Sequence, residues 1–189
     1  MRLFVGKAVK DERATIEANT GQPLTEDWMQ RFRERRNAGL VQSLQAIDGA
    51  VAAVASIHKQ YAGVIACASG ADRFKVELQL DKCGLMPYFK GYIFSGHELP
   101  RSKPFPDVYL AAAAALGVDA KRCAVVEDSV TGVVAGVAAG ATVFGYAPHG
   151  PLLSGHSSAA AMRAAGASAI FTNMAALPAL LARPLSGSV

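Results

Sequence analysis

Residues 124–146 read AVVEDSVTGVVAGVAAGATVFGY: two short apolar runs flank a glycine-spaced segment with helical character. The runs at 124–126 and 142–146 lack the polar alternation of a half-exposed strand, so they read as strands covered on both faces, as in a parallel sheet. Between them, 130–139 reads as a helix. Its Gly132, Gly136 and Gly140 recur every four residues on one face, which suits close packing of a helix on a sheet better than membrane dimerisation. No Asp, Glu, Lys or Arg occurs from residue 129 to 162, yet Gly140, Gly145, Pro148 and His149 interrupt that stretch well short of the ~20 apolar residues of a membrane span. No membrane association is expected.

The same strand–helix alternation extends in both directions. Upstream, a helix at 50–60 leads to a strand at 64–68, a helix at 72–82 stopped by Gly84, a strand at 92–94, and a helix at 106–116 opened by Pro106 and closed by Gly117. Downstream come a helix at 157–165, a strand at 169–171 and a last helix at 174–182. The expected class is α/β: a Rossmann-like parallel sheet with helices on both faces. Residues 1–47 differ, reading as helices only, with Thr25 as N-cap of the second and Glu26 and Asp27 in its first turn. Asp48-Gly49 marks the boundary, giving a partial helical unit at 1–47 and the α/β core at 48–189.

With 51% hydrophobic and 18% charged residues, the chain supports a real core and is not disordered. The net charge of +4 is scattered, apart from a basic cluster at 31–36 that reads as the solvated face of a helix, so no nucleic-acid partner is expected. The N-terminal apolar run spans only residues 3–5, too short for the core of a signal peptide, and Cys67, Cys83 and Cys123 have no CxxC spacing. A cytoplasmic, reduced protein is the expectation. His58, His97, His149 and His156 lack metal-site spacing, and Trp28 and Phe32 read as core of the helical unit.

Ligands of open parallel sheets bind beyond the carboxyl ends of the strands. Ser69-Gly70 follows one strand, Lys103 lies in the loop after the next, and Glu127-Asp128 follows the third. Singly, each has a plain structural alternative: a helix cap for Ser69 and Asp128, a solvated loop residue for Lys103. Together, a hydroxyl, an ammonium and two carboxylates on one edge suit a phosphate held beside a magnesium ion. No Gly-x4-Gly-Lys-[Ser/Thr] or Gly-x-Gly-x-x-Gly competes with that reading.

The order of these residues resembles the second, third and fourth motifs of the haloacid dehalogenase superfamily, in its phosphatase and β-phosphoglucomutase-like branch. The text that carries the likeness is Ser69, Ser102-Lys103-Pro104-Phe105-Pro106-Asp107, and Val125-Val126-Glu127-Asp128-Ser129 with Gly132, supported by Cys83-Gly84-Leu85-Met86-Pro87-Tyr88-Phe89 and Ile93-Phe94-Ser95. The resemblance implies a magnesium-dependent phosphatase acting on a small phosphorylated metabolite, sugar phosphates included. Ser69 would bind a phosphoryl oxygen beside Gly70, Lys103 would neutralise charge, and Glu127 and Asp128 would ligate Mg2+. Residues 1–47 would be part of a helical cap, with Gly6 and Lys7 on its substrate-facing loop.

One departure stands out. The family's nucleophile belongs to an Asp-x-Asp after the first strand, and no Asp in this chain has another two residues later. The resemblance therefore implies a chain that starts inside the cap, lacks the central strand, holds magnesium weakly or not at all, and is inactive as given. The strands ending at Ser69 and Asp128 would flank a slot roughly 9–10 Å wide, two strand spacings, open to self-association. A non-catalytic phosphate-binding or interaction protein on the same scaffold is the first alternative. A haloacid dehalogenase is the second, disfavoured by the acidic Glu127-Asp128 pair.

Overall fold

Val143 has no exposed surface, and its chain neighbours Phe144 and Tyr146 are buried on the opposite side of the same strand. Such a strand needs cover on both faces, and the chain supplies it. The computed structural model describes residues 9–148 and 157–182; Gly6 and Lys7 lie outside them.

In chain order, α1 (Val9–Thr20) and α2 (Glu26–Ser43) come first. Gly21 and Pro23 end the first helix. Thr25 caps the second, its hydroxyl accepting from the Trp28 N–H at 3.2 Å. The turn between them is locked around buried Leu24, whose N–H donates to Glu17 and whose carbonyl accepts from Arg13. Then follow α3 (Ala50–Gln60), β1 (Cys67–Ser69), α4 (Arg73–Lys82), α5 (Met86–Phe89), β2 (Ile93–Ser95) and α6 (Asp107–Ala115). β3 (Ala124–Glu127), α7 (Val130–Ala138), β4 (Thr142–Tyr146), α8 (Ala159–Ala164), β5 (Ala169–Phe171) and α9 (Leu177–Leu181) complete the order.

β3, β4 and β5 form a three-stranded parallel sheet, with Val125 opposite Val143 and Phe144 opposite Ala169. Val143 packs with Val125, Val133 and Met162 against α6, α7 and α8. Phe144 and Tyr146 pack with Ile57, Phe171, Leu177 and Leu181 under α3 and α9. The glycines of α7 allow this contact: a Cβ on Gly136 would stand 2.8 Å from the Val143 side chain.

β1 and β2 form a separate two-stranded parallel sheet, and β1 is not hydrogen-bonded to β3. Cys67 donates to the Tyr92 carbonyl, so by the alternation of a strand the N–H and C=O of Ala68 face away from β2. On β3, Thr142 donates to the Cys123 carbonyl, which turns the backbone groups of Ala124 and Val126 to the edge away from β4. Each sheet thus has an edge that no other described strand pairs.

Two expectations change. The strand expected at 64–68 is Cys67–Ser69, because left-handed Ala62 and Gly63 keep the chain turning through Ile65, whose N–H bonds the Gly63 carbonyl. Ser69 is therefore the last strand residue rather than the first loop residue. Trp28 and Phe32 are not core: they stack with centroids 5.4 Å apart, yet are 41% and 37% exposed.

α2 is tied to the α/β core by Arg36, whose guanidinium donates to Asp72 at 2.9 Å. Asp72 also caps α4 by accepting from the Lys75 N–H. Partial burial pushes the Asp72 carboxyl up, but the Lys75 N–H and Arg36 outweigh it and hold the group below the usual range. The tie is thus present above the ordinary Asp range and lost as pH falls through the lowered value. In Asp72→Asn, which retains a capping oxygen, amide hydrogen exchange is expected to rise across α2 and stay unchanged in α4. Equal exchange in both proteins would show that the ion pair does not hold α2.

Candidate active site

The carboxyl ends of β1 and β3 are brought together by one side chain. The loop after β2 folds on itself, with Arg101 gripping Asp107 by two hydrogen bonds of 3.2 and 2.9 Å and lying over the Phe105 ring. Within that loop the Lys103–Pro104 peptide is cis. Lys103 is 7% exposed, and its ammonium donates to the Ala68 carbonyl at 3.2 Å and to Glu127 Oε1 at 2.5 Å. It thus spans from the free edge of β1 to the end of β3.

Glu127, 8% exposed, is saturated with donors. Oε1 accepts from Lys103 and from the Tyr109 hydroxyl; Oε2 accepts from the Ser129 hydroxyl at 3.0 Å and the Asp128 and Ser129 N–H groups at 3.2 and 3.4 Å. Ser129 in turn caps α7 through the Gly132 N–H. Burial pushes the Glu127 carboxyl up, but Lys103, Tyr109 and Ser129 together hold it below the usual range. Gly132 makes room for this arrangement: any Cβ there would overlap the Glu127 carboxylate.

Ser69 follows Ala68 directly, and its Oγ accepts from the Ala71 N–H at 3.1 Å, orienting the turn at Gly70. Buried Ser95, at the end of β2, fixes the same turn by donating to the Ala71 carbonyl at 2.7 Å. Asp128 is half-buried, and its carbonyl accepts from the Ser157 N–H. Cys67, next to Ala68, has its thiol pushed up to about 11 by burial, a shift that Lys103 only moderates, so it is a neutral thiol at neutral pH.

A magnesium shell does not fit what is described. The hard cation wants about six oxygens, whereas the lone pairs of Glu127 are already taken by five donors, and no cluster of three His, Cys, Asp or Glu occurs among the described residues. Glu127 is engaged here as partner of Lys103, and Asp128 is the other expected ligand at this edge.

Sequence reading missed Tyr109 and Ser129. Tyr109 stands between Val108 and Leu110 and reads as an apolar helix position. The usable signal is that a buried phenol needs an acceptor. Ser129 reads only as text next to the acidic pair.

In a parallel α/β protein, strand ends that present a lysine–carboxylate pair beside a serine turn lie where the ligands of such sheets bind. The model of the haloacid dehalogenase-like hydrolase family matches residues 2–140, and the chain belongs to that family. The 6-phosphogluconate phosphatase of Escherichia coli strain K12 is 34% identical over 108 residues, 56% of this chain and 47% of that protein. Hexitol phosphatase B of the same strain is 35% identical over 104 residues, 55% of this chain and 46% of that one. The chain spans about half the length of these curated relatives. A crystal structure of a haloacid dehalogenase family hydrolase from Deinococcus radiodurans R1, with bound phosphate and sodium, superposes with a TM-score of 0.69 at 33% identity, covering 95% of this chain and 77% of that one. No described helix is long and apolar enough to cross a membrane.

Proposed function

We propose that this protein is a haloacid dehalogenase-family phosphatase scaffold whose strand-end site binds the phosphoryl group of a small metabolite, sugar phosphates included, in the cytoplasm. The observation that carries it is the Lys103 ammonium, held between Ala68 and Glu127 one residue from Ser69. Lys103 meets phosphoryl charge and Ser69 with the Gly70 turn supplies hydrogen bonds. Asp128 contributes one carboxylate toward Mg2+, and residues 1–47 are the cap portion beside the 48–189 core. Phosphatase relatives at 34% and 35% identity support the substrate class.

With no Asp-x-Asp, this 189-residue chain binds without turning over. Calorimetry is expected to show inorganic phosphate binding that Lys103→Ala abolishes, with no magnesium-dependent phosphate release. Robust release that is lost in Lys103→Ala would reveal a nucleophile elsewhere and overturn the inactive reading. Magnesium titrations are expected to show only weak binding, since one carboxylate fills a small part of the shell. Tight binding abolished by Asp128→Asn would contradict that.

A second reading, an interaction protein on the same scaffold, is favoured by one observation: the edges of β1 and β3 that no other described strand pairs. Unpaired strand edges recruit strands, so concentration-dependent self-association by light scattering is its expected signature.

A further inference from the structure

We propose that Tyr109 is a positioning residue of this site, setting where the Lys103 ammonium sits and how much of its charge is left for a bound phosphoryl oxygen; this rests on the phosphoryl-binding reading of Lys103. Tyr109 reaches the ammonium in two ways. Its ring face lies 4.7 Å below Nζ, and its hydroxyl donates to the same Glu127 Oε1 that accepts from Lys103. An ammonium has three N–H bonds. One goes to Ala68 and one to Glu127, with the ring against one side of the group, so an anion that reaches Lys103 uses the third or competes for one of these two.

The shared oxygen is the point of control. Because the phenol takes part of the charge of Oε1, Glu127 neutralises Lys103 less completely, and an anion competes for the ammonium against a weaker partner. Burial, with the Glu127 charge beside it, pushes the Tyr109 hydroxyl well above its usual range, so it is a neutral donor at neutral pH. The rest of the ring packs with Val108, Ala113 and Val133, contacts that Tyr109→Phe retains.

The test compares wild type, Tyr109→Phe and Lys103→Met by calorimetry with inorganic phosphate and by the NMR chemical shift of the Lys103 side-chain nitrogen at fixed pH. Tyr109→Phe is expected to fold with a lowered thermal midpoint, weaken phosphate binding about three- to tenfold, the worth of one hydrogen bond, and shift the Lys103 resonance of the phosphate-free protein. Unchanged binding with an unmoved Lys103 resonance overturns the proposal. Weaker binding with an unmoved resonance overturns it too, since altered packing would then explain the loss. Should wild type and Lys103→Met both fail to bind phosphate, the phosphoryl-binding reading falls, and the Lys103 resonance in Tyr109→Phe still decides whether Tyr109 governs the Lys103–Glu127 pair.

Discussion

Gly132→Ala is expected to destabilise the protein by about 2–4 kcal/mol and to abolish phosphate binding. A Cβ at Gly132 would occupy the space of the Glu127 carboxylate, which is hemmed in by Lys103, Tyr109 and Ser129 and cannot withdraw without breaking their bonds. Breaking a buried ion pair costs about 3–5 kcal/mol, while alanine returns at most about 1 kcal/mol of helix propensity, so the loss wins. Gly39, within α2, is the matched control, since nothing lies within 4 Å of a Cβ built there. Gly39→Ala is expected to be neutral or stabilising by up to about 1 kcal/mol. Urea unfolding of the two variants reads the contrast directly. Equal stability would mean that Glu127 can leave its place at no cost, and the site geometry described above would then be wrong.

The Lys103–Glu127 pair itself carries the other large effect. Lys103→Met leaves a buried carboxylate with neutral donors only, and Glu127→Gln leaves a buried ammonium without a counter-charge. Each is expected to cost about 3–5 kcal/mol. The double variant is expected to lose less than the sum, because neither remaining group is then an unpaired charge. Since the Glu127 carboxyl is held below its usual range, its contribution is fully present above the ordinary glutamate value and is lost as pH falls through the lowered one. Wild-type stability should therefore fall more steeply on acidification than that of Glu127→Gln. Parallel pH profiles, or strictly additive single variants, would show that the pair contributes no coupled stability.

The order of helices and strands from residue 50 onward was legible because it rests on local signals. The apolar run at Thr142–Tyr146, the capping Thr25 and the glycine spacing of α7 depend on periodicity and backbone chemistry within a few residues. The placement of Ser69, Lys103 and Glu127 near the carboxyl ends of strands follows from the same signals, because parallel strands share one end. Strand length was less legible. Val64 and Ile65 have the side chains of a strand, but left-handed Ala62 and Gly63 keep the chain turning through Ile65, and β1 pairs with β2 over three residues only.

The partners of each site residue were decided by tertiary structure. A glutamate followed by an aspartate reads as a pair of metal ligands, and nothing in that text shows that the fold brings Lys103 and Tyr109, 24 and 18 residues away, onto one oxygen of the first. Tyr109 shows the same in reverse: its position in α6 specifies burial, while its chemistry depends on an acceptor supplied by β3. Trp28 and Phe32 are apolar on a helix, yet whether such residues are covered depends on what packs against that face, not on the helix that carries them. By itself the sequence determined which residues reach the edge of the sheet, since backbone periodicity is a property of neighbours in the chain. Only the tertiary structure decided which of them hold one another, because a buried hydrogen bond or ion pair is set by distances between segments that the chain brings together from far apart.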